Sequence, residues 1–231
     1  MRAEILRYDG KNLRPVSVLN HAPSPYNARI PTVFVVDDDR AMRDSLRWLI
    51  ESVQHKVRTF ENAREFLASS ALQQPGCLVL DVRMPGMSGM ELQQTLQNRG
   101  VNIPIIIVTG HGDIPMAVRA MKAGALDFLP KPFNEQILLD CIEHALNQDA
   151  DHREQRQQTH TIQARYATLT PRERQVMDKV VAGQANKVIA YDLGVSMKTV
   201  EAHRGKLMRK MHARTLSTLV KMSQLIHETE Q

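Results

Sequence analysis

Short apolar runs alternate with amphipathic helical patterns along residues 31–147. Each run has the length of a strand, and each is followed by a longer segment with the period of a helix. The run 105–108 is entirely β-branched, which is typical of a parallel strand covered on both faces. This alternation predicts an α/β fold with a doubly wound, parallel five-stranded sheet. The runs are 32–36, 56–60, 77–80, 103–108 and 126–129, and the helical patterns are 40–52, 63–70, 88–99, 114–123 and a helix from Asn134.

Aspartates stand directly after two of these apolar runs. Asp81 ends the run 77–80 and is followed by a Pro-Gly turn, and the cluster Asp37-Asp38-Asp39 ends the run 32–36. The carboxyl ends of parallel strands form the edge at which open α/β sheets bind ligands. Carboxylates gathered there repel one another unless a cation or a proton intervenes. The sequence therefore predicts a divalent metal at this edge, with Asp81 as the reactive group beside it.

Composition excludes several other classes of protein. Aromatic residues make up 4% of the 231 residues, too few for an aromatic platform that stacks single-stranded nucleic acid. The two cysteines, Cys77 and Cys141, are far apart and are expected to be reduced thiols rather than a disulfide. No apolar stretch approaches the roughly 20 residues of a membrane span, and no signal-peptide core is found. We therefore expect a cytoplasmic protein without a membrane partner.

Charge divides the chain into an acidic and a basic part. Residues 31–147 hold 11 Lys/Arg and 14 Asp/Glu, whereas residues 165–231 hold 12 Lys/Arg and 6 Asp/Glu. Two domains with different partners follow, and the basic one is a candidate for nucleic acid. We predict an N-terminal extension that is mostly disordered, an acidic α/β domain, a polar helical linker and a basic domain. Their bounds are 1–30, 31–147, 148–165 and 166–231, and a flexible tether is the alternative for the linker.

The basic domain carries the signals of four short helices. Thr170 is a predicted N-cap, with Pro171 at the first helical position and Glu173 completing a capping box. Asn186 is predicted to cap a helix over 187–193, and Gly194 to end it. Ser196 then starts a helix that continues to about Met211, and a last helix covers about 216–227. A helix, a tight glycine turn and a second helix form the helix-turn-helix pattern.

Four motifs lie at the predicted strand ends: Val35-Val36-Asp37-Asp38-Asp39, Leu80-Asp81-Val82-Arg83-Met84-Pro85, Val108-Thr109-Gly110 and Lys131-Pro132-Phe133. Together they resemble the receiver domain of two-component response regulators, which has a flavodoxin-like fold. The resemblance implies that Asp81 accepts a phosphoryl group from a sensor histidine kinase. It implies Mg²⁺ bound by Asp38, Asp81 and the backbone carbonyl of Arg83, with Asp37 assisting through water. Thr109 and Lys131 would contact the phosphoryl group, and Phe128 would be the switch aromatic.

Residues 166–222 resemble the LuxR-type helix-turn-helix of NarL/FixJ regulators, and the chain as a whole resembles FixJ-like regulators of aromatic degradation. At 100° per residue, Val200, Leu207 and Met211 share the face of the recognition helix that must be buried. The other face and its flanks would contact DNA, with lysine and arginine on phosphates and Glu201 and Ala202 on base edges. His203 lies toward the core edge, where a structural role is favoured slightly over DNA contact. The predicted DNA-binding residues are Lys198, Thr199, Glu201, Ala202, His203, Arg204, Gly205, Lys206 and Arg209.

The two resemblances together imply a phosphorylation-activated transcription regulator that dimerises and binds promoter half-sites. RNA polymerase is a further candidate partner. Such a receiver catalyses only its own phosphotransfer and autodephosphorylation, so the chain is not expected to be an enzyme. One alternative is a haloacid-dehalogenase-type phosphatase, but that class needs an Asp two residues after Asp81, where Arg83 stands. The other alternative is a regulator with a degenerate receiver domain. Such a domain would lack the acidic pair, Thr109 or Lys131, but this sequence has all of them.

Overall fold

The computed structural model describes residues 6–8, 13–15, 30–110 and 113–228. Strands β1 (Leu6–Tyr8) and β2 (Leu13–Pro15) pair antiparallel, and residues 9–12 between them lie outside the described residues. The disorder predicted for the rest of the first 29 residues falls outside them too. Within the described part, none of the helices is both long enough and apolar enough to span a membrane.

Five strands form the parallel sheet that the alternation predicts. They lie in the order β4-β3-β5-β6-β7, so the chain winds in one direction from β3 to β4 and in the other from β5 to β7. This order confirms the doubly wound fold. The strands are β3 (Thr32–Val36), β4 (Lys56–Phe60), β5 (Gly76–Leu80), β6 (Ile105–Thr109) and β7 (Asp127–Pro130).

Helices follow the strands, and two of the predicted bounds differ from the structure by two residues. The helix predicted over 63–70 ends at Ala68, because the Ser69 hydroxyl accepts from the Ala71 amide at 3.1 Å and starts a 3₁₀ helix, Ser70–Gln73. The strand predicted over 103–108 begins at Ile105, because Pro104 has no N–H to add to the ladder. The helices are α1 (Arg40–Ser52), α2 (Ala63–Ala68), α3 (Gly89–Asn98), α4 (Ile114–Lys122) and α5 (Glu135–Ala167).

The register of the sheet brings the predicted strand ends together. Val36, the last residue of β3, pairs with both Phe60 and Leu80. The Asp81 amide continues this ladder by donating to the Val36 carbonyl at 2.9 Å. Asp37 and Asp81 therefore leave neighbouring strands at the same level, as the parallel arrangement requires.

The core on one face of the sheet is built around three phenylalanines. Phe34, Phe60 and Phe66 lie with ring centroids 5.2–6.4 Å apart, the closest pair edge to face. Leu92 and Leu96 of α3 join the same buried cluster. Aromatic pairs in this geometry add about 0.5–1.5 kcal/mol beyond the apolar area that they bury. This packing fixes the strands whose ends carry the carboxylates.

The chain divides into two compact units, Met1–Ile142 and Glu143–Gln231. In the second unit, four helices pack around the buried side chains of Val176, Ile189 and Leu207. Ile162, which lies in the predicted linker, is also buried in this core, so the core extends upstream of residue 166. The four helices are α6 (Pro171–Val181), α7 (Asn186–Leu193), α8 (Met197–Met211) and α9 (Leu216–Glu228).

Most of the capping signals of the second unit operate as predicted. Thr170 and Glu173 form a complete capping box, and the Ser196 hydroxyl accepts from the Thr199 amide. Gly194 ends α7 with φ 64°, a left-handed conformation that glycine adopts without steric cost. The prediction for Asn186 is wrong, because Ala185 is the N-cap and makes no side-chain bond. Asn186 is the first helical residue, and its side chain instead accepts from Arg204 at 3.1 Å.

Lys210 ties the end of α8 to the start of α6. Its ammonium donates to Glu173 Oε2 at 2.7 Å and to the Thr168 carbonyl at 3.0 Å. The hydrogen bond from Lys210 holds the pKa of Glu173 below its usual range, although burial opposes the shift. The carboxylate therefore contributes stability above the ordinary glutamate pKa of about 4.3, and loses it as the pH falls below that value.

We expect Lys210→Met to lower the free energy of unfolding of the second unit at pH 7 by roughly 1–3 kcal/mol, because it leaves a buried acceptor without its donor. The difference from wild type should shrink as the pH falls below about 4. Thermal unfolding of both proteins across this pH range measures it, with the exposed Lys221→Met as a control of equal charge change. A difference that grows with acidity would contradict this account.

Candidate functional site

Two carboxylates of the first unit are buried at the carboxyl edge of the sheet. Asp37 is 3% exposed and Asp81 is 7% exposed, each one residue beyond its strand. Buried carboxylates are uncommon unless they are paired or bind a cation. The structure thus brings together two of the acidic residues that the sequence assigns to this edge.

Lys131 joins the two carboxylates. It follows β7, and its ammonium lies 2.7 Å from Asp37 Oδ2 and 3.1 Å from Asp81 Oδ1. Burial raises the pKa of Asp81, a shift that the hydrogen bond from Lys131 opposes only in part. Burial alone would lower the pKa of Lys131, but attraction to Asp37 and Asp81 outweighs it and the pKa lies above its ordinary value. The ammonium therefore stays charged between the two acids.

The backbone after Asp81 is fixed by two close contacts. The Arg83 amide donates to Asp81 Oδ2 at 2.6 Å, which turns the chain back over its own carboxylate. Gly89 at the start of α3 lies against the Asp81 backbone, where a Cβ would come within 2.2 Å of the carbonyl oxygen. Any other residue at position 89 would displace the loop that carries Asp81.

The acidic loop between β3 and α1 is also tightly hydrogen-bonded. Asp39 is the N-cap of α1, and its own amide donates to Asp37 Oδ1 at 2.9 Å. Asp38 is exposed and lines a groove together with Pro85 and Gly86 from the loop after Asp81. The structure thus gives the three consecutive aspartates different positions: Asp37 buried beside Lys131, Asp38 toward the groove and Asp39 on the helix.

These oxygens fit a magnesium ion better than a metal that needs a protein-only cage. Among the described residues, no three His, Cys, Asp or Glu side chains are grouped to enclose an ion. Mg²⁺ suits a sparser set, because it takes oxygen ligands and usually keeps several waters. Asp37, Asp81 and Lys131 together leave one net negative charge in a buried place, and Asp38 adds a second beside it. Asp38, Asp81 and the Arg83 carbonyl are hard oxygen donors of the required kind.

Thr109 and Phe128 lie on neighbouring strands beside this edge. Thr109 ends β6 with its side chain buried, and its carbonyl accepts from the Lys131 amide at 2.8 Å. Phe128 of β7 pairs with Ile107 and is only partly buried, packing against the core. The structure therefore places both predicted switch residues on adjacent strands, where Thr109 pairs with Pro130, two residues beyond Phe128. It also connects Thr109 to Lys131 through the backbone.

A carboxylate next to Phe128 reaches across to α5. Asp127 accepts from the Phe128 amide at 2.7 Å and from the Cys141 thiol at 3.0 Å. Burial, together with the neighbouring Asp127 carboxylate, raises the pKa of Cys141 to about 12, so the thiol stays protonated. Cys77 and Cys141 are not joined in a disulfide, in agreement with the predicted reduced thiols.

The second unit presents a polar face of α8. Val200, Leu207 and Met211 are fully buried, as the helical period predicts. Gly205 has open space where a side chain would stand, so packing within the chain does not require a glycine there. Six predicted DNA-contacting residues are exposed on this helix: Lys198, Glu201, Ala202, Gly205, Lys206 and Arg209.

Three further predicted DNA contacts are only partly exposed. The Thr199 hydroxyl lies 2.8 Å from the Ser196 hydroxyl at the cap of α8. Arg204 donates to Asn186, which braces α8 against the start of α7. His203 is half-buried, and its Nδ1 has no hydrogen-bond partner within the part of the chain that the structure describes.

Sequence reasoning missed Arg43 and Gln93, two side chains of the first unit that hold backbone outside their own helices. Arg43 of α1 donates to the carbonyls of Asp37 and Asp38. Gln93 of α3 is buried and donates to the carbonyls of Ala120 and Ala123 at the end of α4. Neither contact has a sequence signature, because each pairs a side chain with a backbone carbonyl whose position depends on the fold.

Comparison with known proteins finds two families and close relatives. Residues 33–143 match the response regulator receiver domain, and residues 167–223 match bacterial regulatory proteins of the luxR family. The chain is similar to Nodulation protein W of Bradyrhizobium diazoefficiens, with 48% identity over 84% of this chain and 86% of that protein. Transcriptional regulatory protein FixJ of Azorhizobium caulinodans is 46% identical over 84% and 92%. The solved structure of response regulator StyR has a TM-score of 0.77 and 49% identity, and the match covers 84% of this chain and 98% of that one.

Proposed function

Because the chain belongs to the response regulators that join a receiver domain to a LuxR-type DNA-binding domain, we propose that phosphorylation of Asp81 controls its binding to promoter DNA. It is a FixJ-type transcription regulator, from a family that does not act as enzymes. The observation that carries the proposal is the Lys131 ammonium between the buried Asp37 and Asp81 at the strand ends.

Phosphotransfer to Asp81 would proceed by displacement at phosphorus. An Asp81 carboxylate oxygen forms the new O–P bond, and the P–N bond to a histidine of the partner kinase breaks with its electron pair staying on the imidazole nitrogen. The nucleophile must be ionised, yet burial favours its protonated form. The Lys131 charge opposes this effect, and the same ammonium is near enough to pair with the phosphoryl oxygens.

Magnesium is the proposed cofactor of this step. Asp38, Asp81 and the Arg83 backbone carbonyl would hold the ion, with Asp37 assisting through water. When bound, it would supply positive charge where the Asp81 carboxylate and the incoming phosphoryl group repel each other. The acidic loop and the Gly89 contact keep the donor atoms of this chain at one edge of the sheet.

The proposed response runs through Thr109 and Phe128. Thr109 would move toward a phosphoryl oxygen on Asp81, and Phe128 would occupy the space left behind. Helix α4, which follows Thr109, exposes Ile114, Val118 and Met121 at helical spacing, 81%, 46% and 45% exposed. Such an apolar stripe supports α4 as part of the proposed dimer surface. Turning a mostly inactive switch mostly active takes about 5.5 kcal/mol, part of which dimerisation on DNA can supply.

Contact with DNA is proposed for the polar face of α8. Lys198, Lys206 and Arg209 suit phosphates, while Glu201 and Ala202 face outward near the start of the helix, where base edges are read. Gly205 would allow the backbone to approach the duplex closely. Thr199, His203 and Arg204 complete the proposed surface from its half-buried margin.

The proposed partners are a sensor histidine kinase, a second copy of this chain, promoter DNA and RNA polymerase, and the proposed place of action is the cytoplasm. Domain bounds of 31–147 for the receiver, 148–165 for the linker and 166–231 for the DNA-binding part are proposed as working limits. Residues 1–30 form an extension whose role stays open.

The test is to select genomic DNA fragments with the full chain, with and without Mg²⁺ and acetyl phosphate. We expect the phosphodonor to increase both self-association, measured by sedimentation, and the enrichment of fragments. The enriched sequence should have two-fold symmetry, because two modules of a dimer bind two half-sites. Enrichment that is equal in both conditions, with no change in self-association, would refute control by phosphorylation.

A further inference from the structure

Arg43 makes an unusual contact with the backbone of the acidic loop. Its Nη1 donates to two consecutive carbonyls, of Asp37 at 2.7 Å and of Asp38 at 2.8 Å. These oxygens belong to the residues between the end of β3 and the N-cap of α1. One guanidinium thus holds the main chain from which two of the three predicted metal-site side chains, Asp37 and Asp38, project.

The dipole of helix α1 does not favour the positive charge of Arg43 at this position. Arg43 lies in the first turn of α1, where the positive end of the helix dipole disfavours a cation. Its two charge-assisted hydrogen bonds offset that cost. The loop gains from them as well, because carbonyls that turn away from the sheet need a donor.

Asp38 depends on this backbone more than Asp37 does. Asp37 has its own side-chain bonds, to Lys131 and to the Asp39 amide. Asp38 is exposed, and within the described residues its carboxylate has no hydrogen bond or ion pair to another side chain. The direction of its carboxylate is therefore set by the main chain that Arg43 holds.

We propose that Arg43 is a positioning residue for the magnesium site, which fixes the acidic loop so that the Asp38 carboxylate is held toward Asp81. The inference rests on the proposed function, since it assumes that these acids bind Mg²⁺. Arg43 acts through backbone carbonyls and does not contact the ion or the phosphoryl group.

The charge of Arg43 and its hydrogen bonds act on the ion in opposite directions. A positive charge near the site repels Mg²⁺, so removing charge alone would tighten binding. Removing the two hydrogen bonds from Arg43 frees the acidic loop and weakens Mg²⁺ binding. Loss of an outer contact of this kind typically costs about 10–100-fold in metal affinity. The two effects can be separated because lysine keeps the charge of arginine without its planar fork.

The experiment measures the dissociation constant of Mg²⁺ alone, by NMR titration of the full chain without a phosphodonor. We expect Arg43→Lys and Arg43→Gln each to weaken binding about 10-fold or more. Arg40→Gln is the matched control, because Arg40 is on the same turn of α1 and its ion pair among the described residues is with the half-exposed Asp44 at 3.7 Å. It should leave the affinity unchanged or slightly tighter.

Each outcome decides the question. Mg²⁺ binding that tightens in Arg43→Gln and stays unchanged in Arg43→Lys would overturn the proposal, because only the charge of Arg43 would then matter. Equal Mg²⁺ affinity in all four proteins would overturn it as well. Thermal unfolding without Mg²⁺ checks that each variant is folded, and if Arg43→Gln is not, Arg43→Lys carries the test. A wild-type chain without measurable Mg²⁺ binding would refute the cofactor of the proposed function, and this inference would fall with it.

Discussion

We expect Asp81→Asn to abolish the incorporation of phosphate from acetyl phosphate in the presence of Mg²⁺. The substitution removes the carboxylate oxygen that forms the bond to phosphorus, and an amide is not a nucleophile of comparable strength. The variant should therefore also lose the effect of the phosphodonor on self-association and on DNA binding. Labelling with radioactive acetyl phosphate, or intact mass before and after treatment, measures the first effect.

We expect this variant to fold, because the buried position of Asp81 does not favour a charged side chain. Burial raises the pKa of Asp81, which means that the ionised carboxylate is less favourable here than in water. A neutral amide of the same shape should leave stability at pH 7 at least equal to that of wild type. Asp44→Asn, at a half-exposed position on α1, is a control of equal chemistry and should be labelled normally. Labelling of Asp81→Asn at the wild-type level would refute the assignment of the phosphoacceptor.

The second large effect is expected at the polar face of α8. Changing Lys198, Lys206 and Arg209 to glutamine together should weaken DNA binding on the order of 100-fold near physiological salt. Each lost phosphate contact lowers the slope of log affinity against log salt by about 0.9, so the slope should fall by about 2.7. Fluorescence anisotropy on a selected DNA site at several salt concentrations measures both quantities.

A control with the same change in net charge distinguishes direct phosphate contacts from a general effect of net charge on DNA binding. Lys122, Arg156 and Lys221 are exposed and lie outside α8, so changing them to glutamine should leave the slope near the wild-type value. All six positions are at the surface, and each substitution should alter stability by less than about 0.5 kcal/mol. An unchanged salt slope in the α8 variant would remove these residues from the DNA interface.

The sheet was predictable because its determinants are local. A strand covered on both faces is a continuous apolar run, and the five runs led to the observed five-stranded parallel sheet. The buried stripe of α8 was equally predictable, since the helical period alone decides that Val200, Leu207 and Met211 share a face. The bounds were less certain where backbone chemistry intervened, as at Pro104 and at the hydroxyl of Ser69.

Side chains that pair with distant backbone were not predictable. Asn186 is of a residue type favoured at N-caps and stands at the predicted start of a helix. Its side-chain oxygen nevertheless accepts from Arg204 on the next helix. A local propensity worth about 1 kcal/mol is overridden when tertiary packing offers the same side chain another partner. Arg43 is a similar case, since its two acceptors are carbonyls outside its helix.

The sequence by itself determined which residues are acidic, where the strands end and which domain is basic, because each of these is written in the order of the residues. The resemblance of its motifs to receiver domains implied that Lys131 acts at one site with Asp81 and Asp37, although Lys131 and Asp37 are 94 positions apart in sequence. Only the tertiary structure decided which charged groups pair with each other. Lys131 lies closer to Asp37 than to Asp81, and Asp38 is exposed. The reason is that register brings strand ends to one edge, whereas the partner of each oxygen depends on distances that only the packed sheet and helices establish.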